Sequence, residues 1–366
     1  MIVLLGFTFI CDCVIVLSSM DKIDIRSLYF NETEELVTGL GGEKYRAKQV
    51  FGRINKNNTT DFGQMNIPGP LRRKLDETAH VSAVRFVRSV GDGNNTKKYL
   101  FELDKGTIIE CVLMRYSFGN SVCISTQAGC AMACRFCASA SGGLERDLTA
   151  GEIVGQVYGI SEDIGERIGN IVLMGSGEPL ENYGNVIRSI RLINDIRGAN
   201  IGQRHITLST CGITDRIYDL AEENLQINLA VSLHAPNDGI RTGLMPVNRK
   251  HPVDGVIAAA RYYAERTKRR VTYEYAMIDG INDGREQAEE LAGKIRNSLC
   301  HVNLIPLNDV PGRNLFRSKK AAIGNFADIL NKNGIVTTVR RELGSGINAA
   351  CGQLRNSERS KIMTEK

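Results

Sequence analysis

Apolar residues follow two rhythms along this chain. From about residue 121 onward, short continuous apolar runs alternate with longer amphipathic segments. The runs are SVCIS, NIVLMG, HITLST, NLAVSLH, VTYEYAMI and HVNLIPLN. Runs of this kind predict parallel strands buried on both faces. Between them the period becomes helical. TAGEIVGQVYGI opens with Thr149 and Glu152 in capping-box spacing, and Ile153, Val154 and Val157 fall on one stripe. Six such βα units in succession predict right-handed crossovers and a parallel sheet curved into a partial (β/α)6 barrel, with a flat doubly wound sheet as the alternative.

Upstream the texture differs. In KYRAKQVFGRI the residues Ala47, Val50, Phe51 and Ile54 recur at helical spacing, and NNTTDFGQMNIPGPLRRKL continues through a Pro/Gly turn into another helix. AVRFVRSV and KKYLFEL read as strands around the turn GDGNN (91–95), and GTIIECVLMRY adds a third. The expected division is a small helical accessory module at 20–95, connecting strands at 96–120 and the α/β barrel at 121–346. A C-terminal segment follows at 347–366. Residues 1–19 stand apart. IVLLGFTFICDCVIVLSS is apolar, but Asp12 interrupts it and no Lys or Arg precedes it. It makes a poor signal peptide and a short, charged membrane span. Met20 then opens MDKIDIRSL like an ordinary start, so residues 1–19 read as a non-native or unstructured extension from a misassigned start codon.

Composition alters this picture little. At 366 residues, 42% hydrophobic and 24% charged, the chain has room for one large α/β domain and a smaller one. The net charge of +5 gathers at Arg72–Arg73–Lys74, Lys268–Arg269–Arg270, Lys319–Lys320 and Arg340–Arg341. Each cluster reads equally well as solvated surface, and together they permit an RNA partner. Ten cysteines are too few for a disulfide scaffold of this length, which points to metal or catalytic use in a reducing cytoplasm.

Chemistry gathers just after the predicted strands. In parallel α/β folds ligands collect at the carboxyl ends of strands. AGCAMACRFCASASGG follows the first run and holds Cys130, Cys134 and Cys137 as C-x3-C-x2-C. A structural zinc would need a fourth ligand, yet no His lies between residues 81 and 204, and Cys123 belongs to the strand. Three soft thiolates with a vacant corner suit a [4Fe–4S] cluster whose fourth iron takes an outside ligand. GSGEP follows the second run. Gly175 and Gly177 permit a close backbone approach, and Glu178 can accept hydrogen bonds from an ammonium, although such a turn alone is weak evidence.

The cysteine spacing resembles the signature of radical S-adenosylmethionine (SAM) enzymes. CISTQAGCAMACRFCASASGGLERDLTAGEIVGQV, MGSGEPL, HITLSTCGI, SLHAPND, HVNLIPLN and AACGQL together resemble the RlmN-type dual-specificity RNA methyltransferases, from about Lys22 to Leu354. The resemblance implies SAM chelated by the open iron of the cluster and methylation of carbon 2 of adenine in 23S rRNA and in tRNA. Cys351 would accept a methyl group from a first SAM. A second SAM would yield the radical that activates this S-methyl group for addition to the base. Cys123 would then release the product by attacking the Cys351 sulfur, leaving a disulfide. Glu110 matches the proton acceptor. Gly177, Glu178, Ser209, Ser232, Leu233, His234 and Asn308 match SAM contacts. The implied partners are 23S rRNA, tRNA and an electron donor such as a flavodoxin or ferredoxin, with no membrane, for a cytoplasmic monomer.

The chemistry accounts for these parts. Carbon 2 of adenine is electron-poor, so direct polar methyl transfer is blocked. Radical addition avoids that barrier but needs a tethered one-carbon donor and a second thiol to cut the tether by ordinary exchange. One departure stands out: Gly346-Ile347-Asn348 replaces the family's usual Asp-Ile-Asp run before AACGQL. Other residues have plainer readings. Cys111, Cys211 and Cys300 read as small buried hydrophobes, His234 as a satisfied core histidine without the resemblance, and Glu110 equally as an exposed polar alternate. Arg340 and Arg341 are candidates for RNA phosphates or for plain surface. Two other functions fit part of the pattern: a Cfr-type carbon-8 methyltransferase with the same thiols, and a non-catalytic iron–sulfur RNA-binding protein.

Overall fold

The computed structural model describes residues 22–93, 95–308 and 314–340. Strand β1 (Ile23–Asp24) leads into helices α1 (Phe30–Gly39), α2 (Lys44–Asn55) and α3 (Gly69–Thr78), and β2 (Ala79–His80) returns parallel to β1. The stripe expected on α2 is the buried one. Ala47, Val50 and Ile54 join Ile25, Val37, Leu71 and Leu75 in a small core that ends at Val81. Phe51 points the other way, into the main core.

Four strands form an antiparallel meander: β3 (Val84–Gly91), β4 (Thr96–Leu103), β5 (Ile108–Tyr116) and β6 (Gly119–Cys123). The boundary expected at residue 95 therefore falls inside the β3–β4 hairpin. Both strands are hydrogen-bonded into the main sheet, and the helical module's own core stops at Val81. A separate hairpin follows, β7 (Gln127–Gly129) with β8 (Leu144–Asp147).

The βα series then begins with α4 (Ala150–Ile164), β9 (Ile168–Leu173), α5 (Tyr183–Asn194), β10 (Ile206–Thr210), α6 (Thr214–Glu222) and β11 (Asn228–Ser232). It continues with α7 (Asp238–Leu244), α8 (Val253–Thr267), β12 (Val271–Met277), α9 (Arg285–Ile295), β13 (Cys300–Pro306), α10 (Lys320–Lys332) and β14 (Thr337–Val339). The capping box forms as expected: the Glu152 N–H donates to Thr149 Oγ1 at 3.1 Å, and the Thr149 N–H donates to Glu152 Oε2 at 2.9 Å.

The ten-stranded sheet runs β14-β13-β12-β11-β10-β9-β6-β5-β4-β3. From β6 to β14 every neighbour is parallel, and the order never reverses. A doubly wound sheet reverses its order at a switch point. Here right-handed crossovers keep the helices on one face, and the other face is left to line a trough. The barrel reading holds and the doubly wound alternative fails. The barrel is partial, since β14 and β3 are edges. Short β14 makes a seventh parallel strand beyond the six expected.

The expectation of strands buried on both faces needs correction, since β10 and β13 alternate buried with half-buried positions. In β12, Val271, Tyr273, Tyr275 and Met277 are at most 1% exposed and pack against helices. The alternating Thr272, Glu274 and Ala276 line cavities in the trough. The same alternation turns Ser209, Ser232 and Asn303 into the trough. Lumen positions carry polar side chains because they face a ligand space rather than a second hydrophobic layer.

The helical module docks on the start of α4. Asp24 Oδ1 accepts from the Ser82 N–H at 3.0 Å, and its Oδ2 accepts from the Thr149 hydroxyl at 3.1 Å. Ser27 Oγ accepts from the Gly151 N–H at 2.7 Å. Among the described residues no helix is long and apolar enough to cross a membrane.

Candidate active site

Local geometry at the end of β6 positions the three-cysteine loop. Gly129, the last residue of β7, has φ +76°, and a Cβ there would stand 2.0 Å from the Gly143 carbonyl oxygen. Only glycine lets the two ends of the loop close, and the Cys130 N–H donates to that same oxygen at 2.9 Å. The far side is pinned to the end of α7, where the Arg135 N–H donates to the Leu244 carbonyl at 2.9 Å.

Cys130, Cys134 and Cys137 line one cavity with Met132 and Phe136. Burial, more than their neighbours, pushes the Cys130 thiol up to about 11 and the Cys134 thiol further. Without a cation these thiols stay protonated; bound iron would reverse that balance. Among the described residues no three His, Cys, Asp or Glu side chains converge as ligands of a single metal ion do. Three soft thiols around one cavity suit the three protein-held irons of a [4Fe–4S] cluster.

GSGEP forms the next wall, between β9 and α5. Gly177 has φ +108°, and a Cβ there would meet Gln127 Cβ at 2.6 Å. This contact brings the Glu178 N–H to Gln127 Oε1 at 2.8 Å. The Glu178 carboxyl is 3% exposed. Its Oε1 accepts from the Leu180 N–H at 3.0 Å and its Oε2 from the Cys211 N–H at 2.7 Å. Burial raises its pKa, while these donors pull it down. An ammonium at its remaining lone pairs would favour the charged form further.

The strand ends supply the rest. Ser209, Ser232, His234 and Asn308 line the same cavity as the thiols, Gly177 and Glu178. His234 has φ +57° and is buried. Its Nδ1 accepts from the Ala276 N–H at 2.9 Å, which leaves the proton of the neutral ring on Nε2 as a donor. Burial, with help from Arg241, lowers its pKa to about 3. Leu233 differs: its side chain lies in the helix-side core, outside the cavity lining. The free space of the cavity is ≈ 960 Å³ including its open mouth, the scale of a cofactor site.

Glu110 and Cys123 stand on the adjacent wall. Cys123 pairs with Val112 across β5–β6, and Glu110 lies two residues from Val112, so both project from one sheet face. Glu110 is 3% exposed, not an exposed alternate, with Lys98 Nζ 3.4 Å from its Oε1. Cys123 packs with Val112, Met114, Val172 and Met174, and Met174 also lines the thiol cavity. No disulfide joins two described cysteines. Cys351, Arg341 and Gly346–Asn348 lie outside the described residues.

Sequence reasoning missed three residues here. Cys211, expected to be an inert buried thiol, lines the cavity and hydrogen-bonds Glu178 through its thiol as well as its N–H. Glu274 lines the cavity from β12. Arg241 is wholly buried behind it, donating to the carbonyls of Cys211 (2.5 Å), Leu233 (3.0 Å) and His251 (3.1 Å). Nothing local in the sequence signalled Glu274 or Arg241.

The radical SAM superfamily model matches residues 124–292, and the model of the ribosomal RNA large subunit methyltransferase N-terminal domain matches residues 23–81. Radical SAM proteins use a [4Fe–4S] cluster and SAM, the pair this donor set suits. A curated protein from Alkaliphilus oremlandii, named as a dual-specificity RNA methyltransferase RlmN, is 49% identical over 92% of this chain and 98% of its own length. One of the same name from Clostridium tetani is 51% identical over 86% of this chain and 90% of its own length. The crystal structure of a radical SAM methyltransferase from Sphaerobacter thermophilus superposes with a TM-score of 0.87 at 44% identity, covering 91% of this chain and 99% of that one.

Proposed function

The chain belongs to the RlmN-type family of radical SAM RNA methyltransferases, and we propose that it methylates carbon 2 of adenine in RNA. The substrates are 23S rRNA, at the peptidyl transferase centre, and tRNA, at the adenine next to the anticodon. The observation that carries this reading is one trough whose walls hold the three-thiol loop, the Glu178 turn, Cys123 and Glu110.

Cys130, Cys134 and Cys137 would hold the cluster. Bound there, cluster and SAM supply a hydrogen-abstracting radical. Glu178 orients the SAM ammonium, and the His234 Nε2–H donates to the same ligand. Cys351 carries the one-carbon unit as its S-methyl group. Once that carbon is bonded to the base, the Cys123 thiolate attacks the Cys351 sulfur. The carbon–sulfur bond breaks as a disulfide joins the two sulfurs, and the released carbon keeps the bonding electron pair and takes a proton to become the methyl group. Glu110 takes up the proton that leaves carbon 2. The thiols are restored by an external reductant, and the reducing electrons come from a flavodoxin- or ferredoxin-type donor. We read the protein as a cytoplasmic monomer.

The test is anaerobic reconstitution with iron and sulfide, incubation with SAM, reductant and an rRNA fragment or tRNA, then nucleoside mass spectrometry. Carbon-2 methyladenosine is expected. A carbon-8 product moves the enzyme to the Cfr-type chemistry, and an intact cluster with no SAM cleavage leaves only an RNA-binding protein.

A further inference from the structure

A second cavity opens on the same trough, towards the N-terminal ends of its strands. Its free space is ≈ 1140 Å³ including its open mouth, and it is walled by Thr207, Asn228 and Thr272, early residues of β10, β11 and β12. Lys268, Arg269 and Arg270, between α8 and β12, form its rim. Arg269 is occupied within the fold, with Nε donating to the Ile227 carbonyl at 2.9 Å and Nη2 to Asn228 Oδ1 at 2.5 Å. Lys268 and Arg270 are exposed.

Two features tie this cavity to the thiol cavity. Met174, Glu274 and Arg340 line both, so the two spaces adjoin along one passage. Val172 and Met174, on the wall of the second cavity, pack against Cys123. Glu274 sits at the junction, 6% exposed, its Oε2 accepting from Asn303 Nδ2 at 2.8 Å. One end of the passage is cationic, the middle presents the Glu274 carboxylate and an amide with the Arg340 guanidinium beside them, and the other end is the thiol-lined cavity.

We propose that the target nucleotide enters through this second cavity, flipped out of its strand. Lys268 and Arg270 hold a flanking phosphate, and Glu274 accepts a hydrogen bond from the exocyclic amino group of the adenine. The inference rests on the RNA methyltransferase reading above. A base that must meet a carbon carried on sulfur beside Cys123 cannot share the space that SAM fills, so it arrives from the opposite end of the passage. Exposed cations suit phosphate oxygens. A carboxylate is acceptor-only, so it selects an amino-bearing base edge over one that presents an acceptor. The rim holds the strand, and the junction reads the base.

The experiment uses reconstituted protein with SAM and a tRNA anticodon stem-loop. Lys268→Ala and Arg270→Ala are expected to weaken RNA binding about ten-fold together. They should also make the slope of log Kd against log salt shallower by about one for each cation removed, with SAM affinity unchanged. Glu274→Leu, which removes the acceptor, is expected to leave that slope unchanged. It should abolish the preference, in kcat/KM, for adenine over unsubstituted purine at the target position. RNA affinity and salt slope unchanged in both rim variants would overturn the entry route. Retained adenine preference in Glu274→Leu, or a matching fall in SAM affinity, would overturn the reading role. If the wild-type protein methylates no RNA, the functional reading fails, and the binding and salt measurements still decide the route.

Discussion

Cys123 shows how far a single side chain's surroundings constrain its role. It ends β6 with its side chain enclosed by Val112, Met114, Val172 and Met174. A thiol so placed meets a sulfur only when that sulfur enters the trough, which suits release of a bound product rather than metal ligation. Cys123→Ala should therefore stall the reaction after the base is alkylated, giving a covalent protein–RNA adduct. The adduct would run as a shifted band on a denaturing gel. Unlinked methylated RNA at wild-type yield would remove Cys123 from the mechanism. Gly129 makes a sharper structural prediction. With the Gly143 oxygen 2.0 Å from any added Cβ, Gly129→Ala must part the ends of the cysteine loop. Iron and sulfide content after reconstitution should fall well below stoichiometric, while the far-ultraviolet circular dichroism of the sheet stays unchanged. At this scale the sequence was readable wherever residue type is itself the chemistry. C-x3-C-x2-C excludes most alternatives by ligand count alone. Glu274 was not readable in the same way, because a lone acid in an apolar run looks like a solvated alternate until the trough gives that face an interior.

Each element of the parallel series could be seen in the sequence, but the character of its faces could not. Strand alternation was masked because the trough-facing positions mix Thr, Ser, Ala, Asn and one Glu with the apolar Val172 and Met174, and so blur into the apolar run. The module boundary was misplaced for a related reason. β3 carries Val84, Phe86 and Val90 among polar residues, and hairpin turns look alike whether or not they separate domains. Arg241 in α7 is a second case. Its guanidinium joins the ends of three segments by donating to the carbonyls of Cys211, Leu233 and His251 and to Asn248 Oδ1, and no spacing announces such a residue. Burial lowers its pKa, and the neighbouring Cys211, Cys134 and Asp238 partly offset this. Its hydrogen bonds hold the turns carrying Cys211 and His234 in place. Arg241→Leu leaves several buried carbonyls unpaired at about 1–3 kcal/mol each. A destabilisation of at least about 3 kcal/mol is expected in urea unfolding, with SAM affinity falling in the fraction that remains folded. A midpoint within 0.3 M urea of wild type, roughly 0.3–0.9 kcal/mol at ordinary m-values, would mean that the loops hold themselves.

At the scale of the whole molecule the question is whether module and barrel are one cooperative unit. The module has its own core from Ile25 to Val81, which argues for independence. Its attachments argue the other way. Phe51 leaves that core and joins the barrel's, meeting Phe30 edge-on with ring centroids 5.7 Å apart. The guanidinium of Arg197, beyond α5, stacks 3.9 Å over the Phe30 ring, and Arg188 of α5 pairs with Glu32 of α1. Asp24 reaches the cap of α4. The apolar contact outweighs the others. Half-exposed ion pairs contribute roughly 0–1 kcal/mol, whereas truncating a buried Phe to Ala costs about 3–5 kcal/mol. A domain as small as 60 residues buries too little surface to have stability to spare. Wild-type protein should accordingly unfold module and barrel in a single calorimetric transition. Phe51→Ala should split it, with the module melting first and the barrel close to its original temperature. Glu32→Ala should move the transition by no more than about 4 °C, since a domain of 150–250 residues shifts only 2–4 °C per kcal/mol. The flipped-nucleotide route puts the phosphate-holding rim on the barrel itself. A module loosened by Phe51→Ala should therefore still let the barrel bind RNA with an undiminished Lys268- and Arg270-dependent salt slope. Loss of that slope together with the module would place the phosphate contacts on the helices instead.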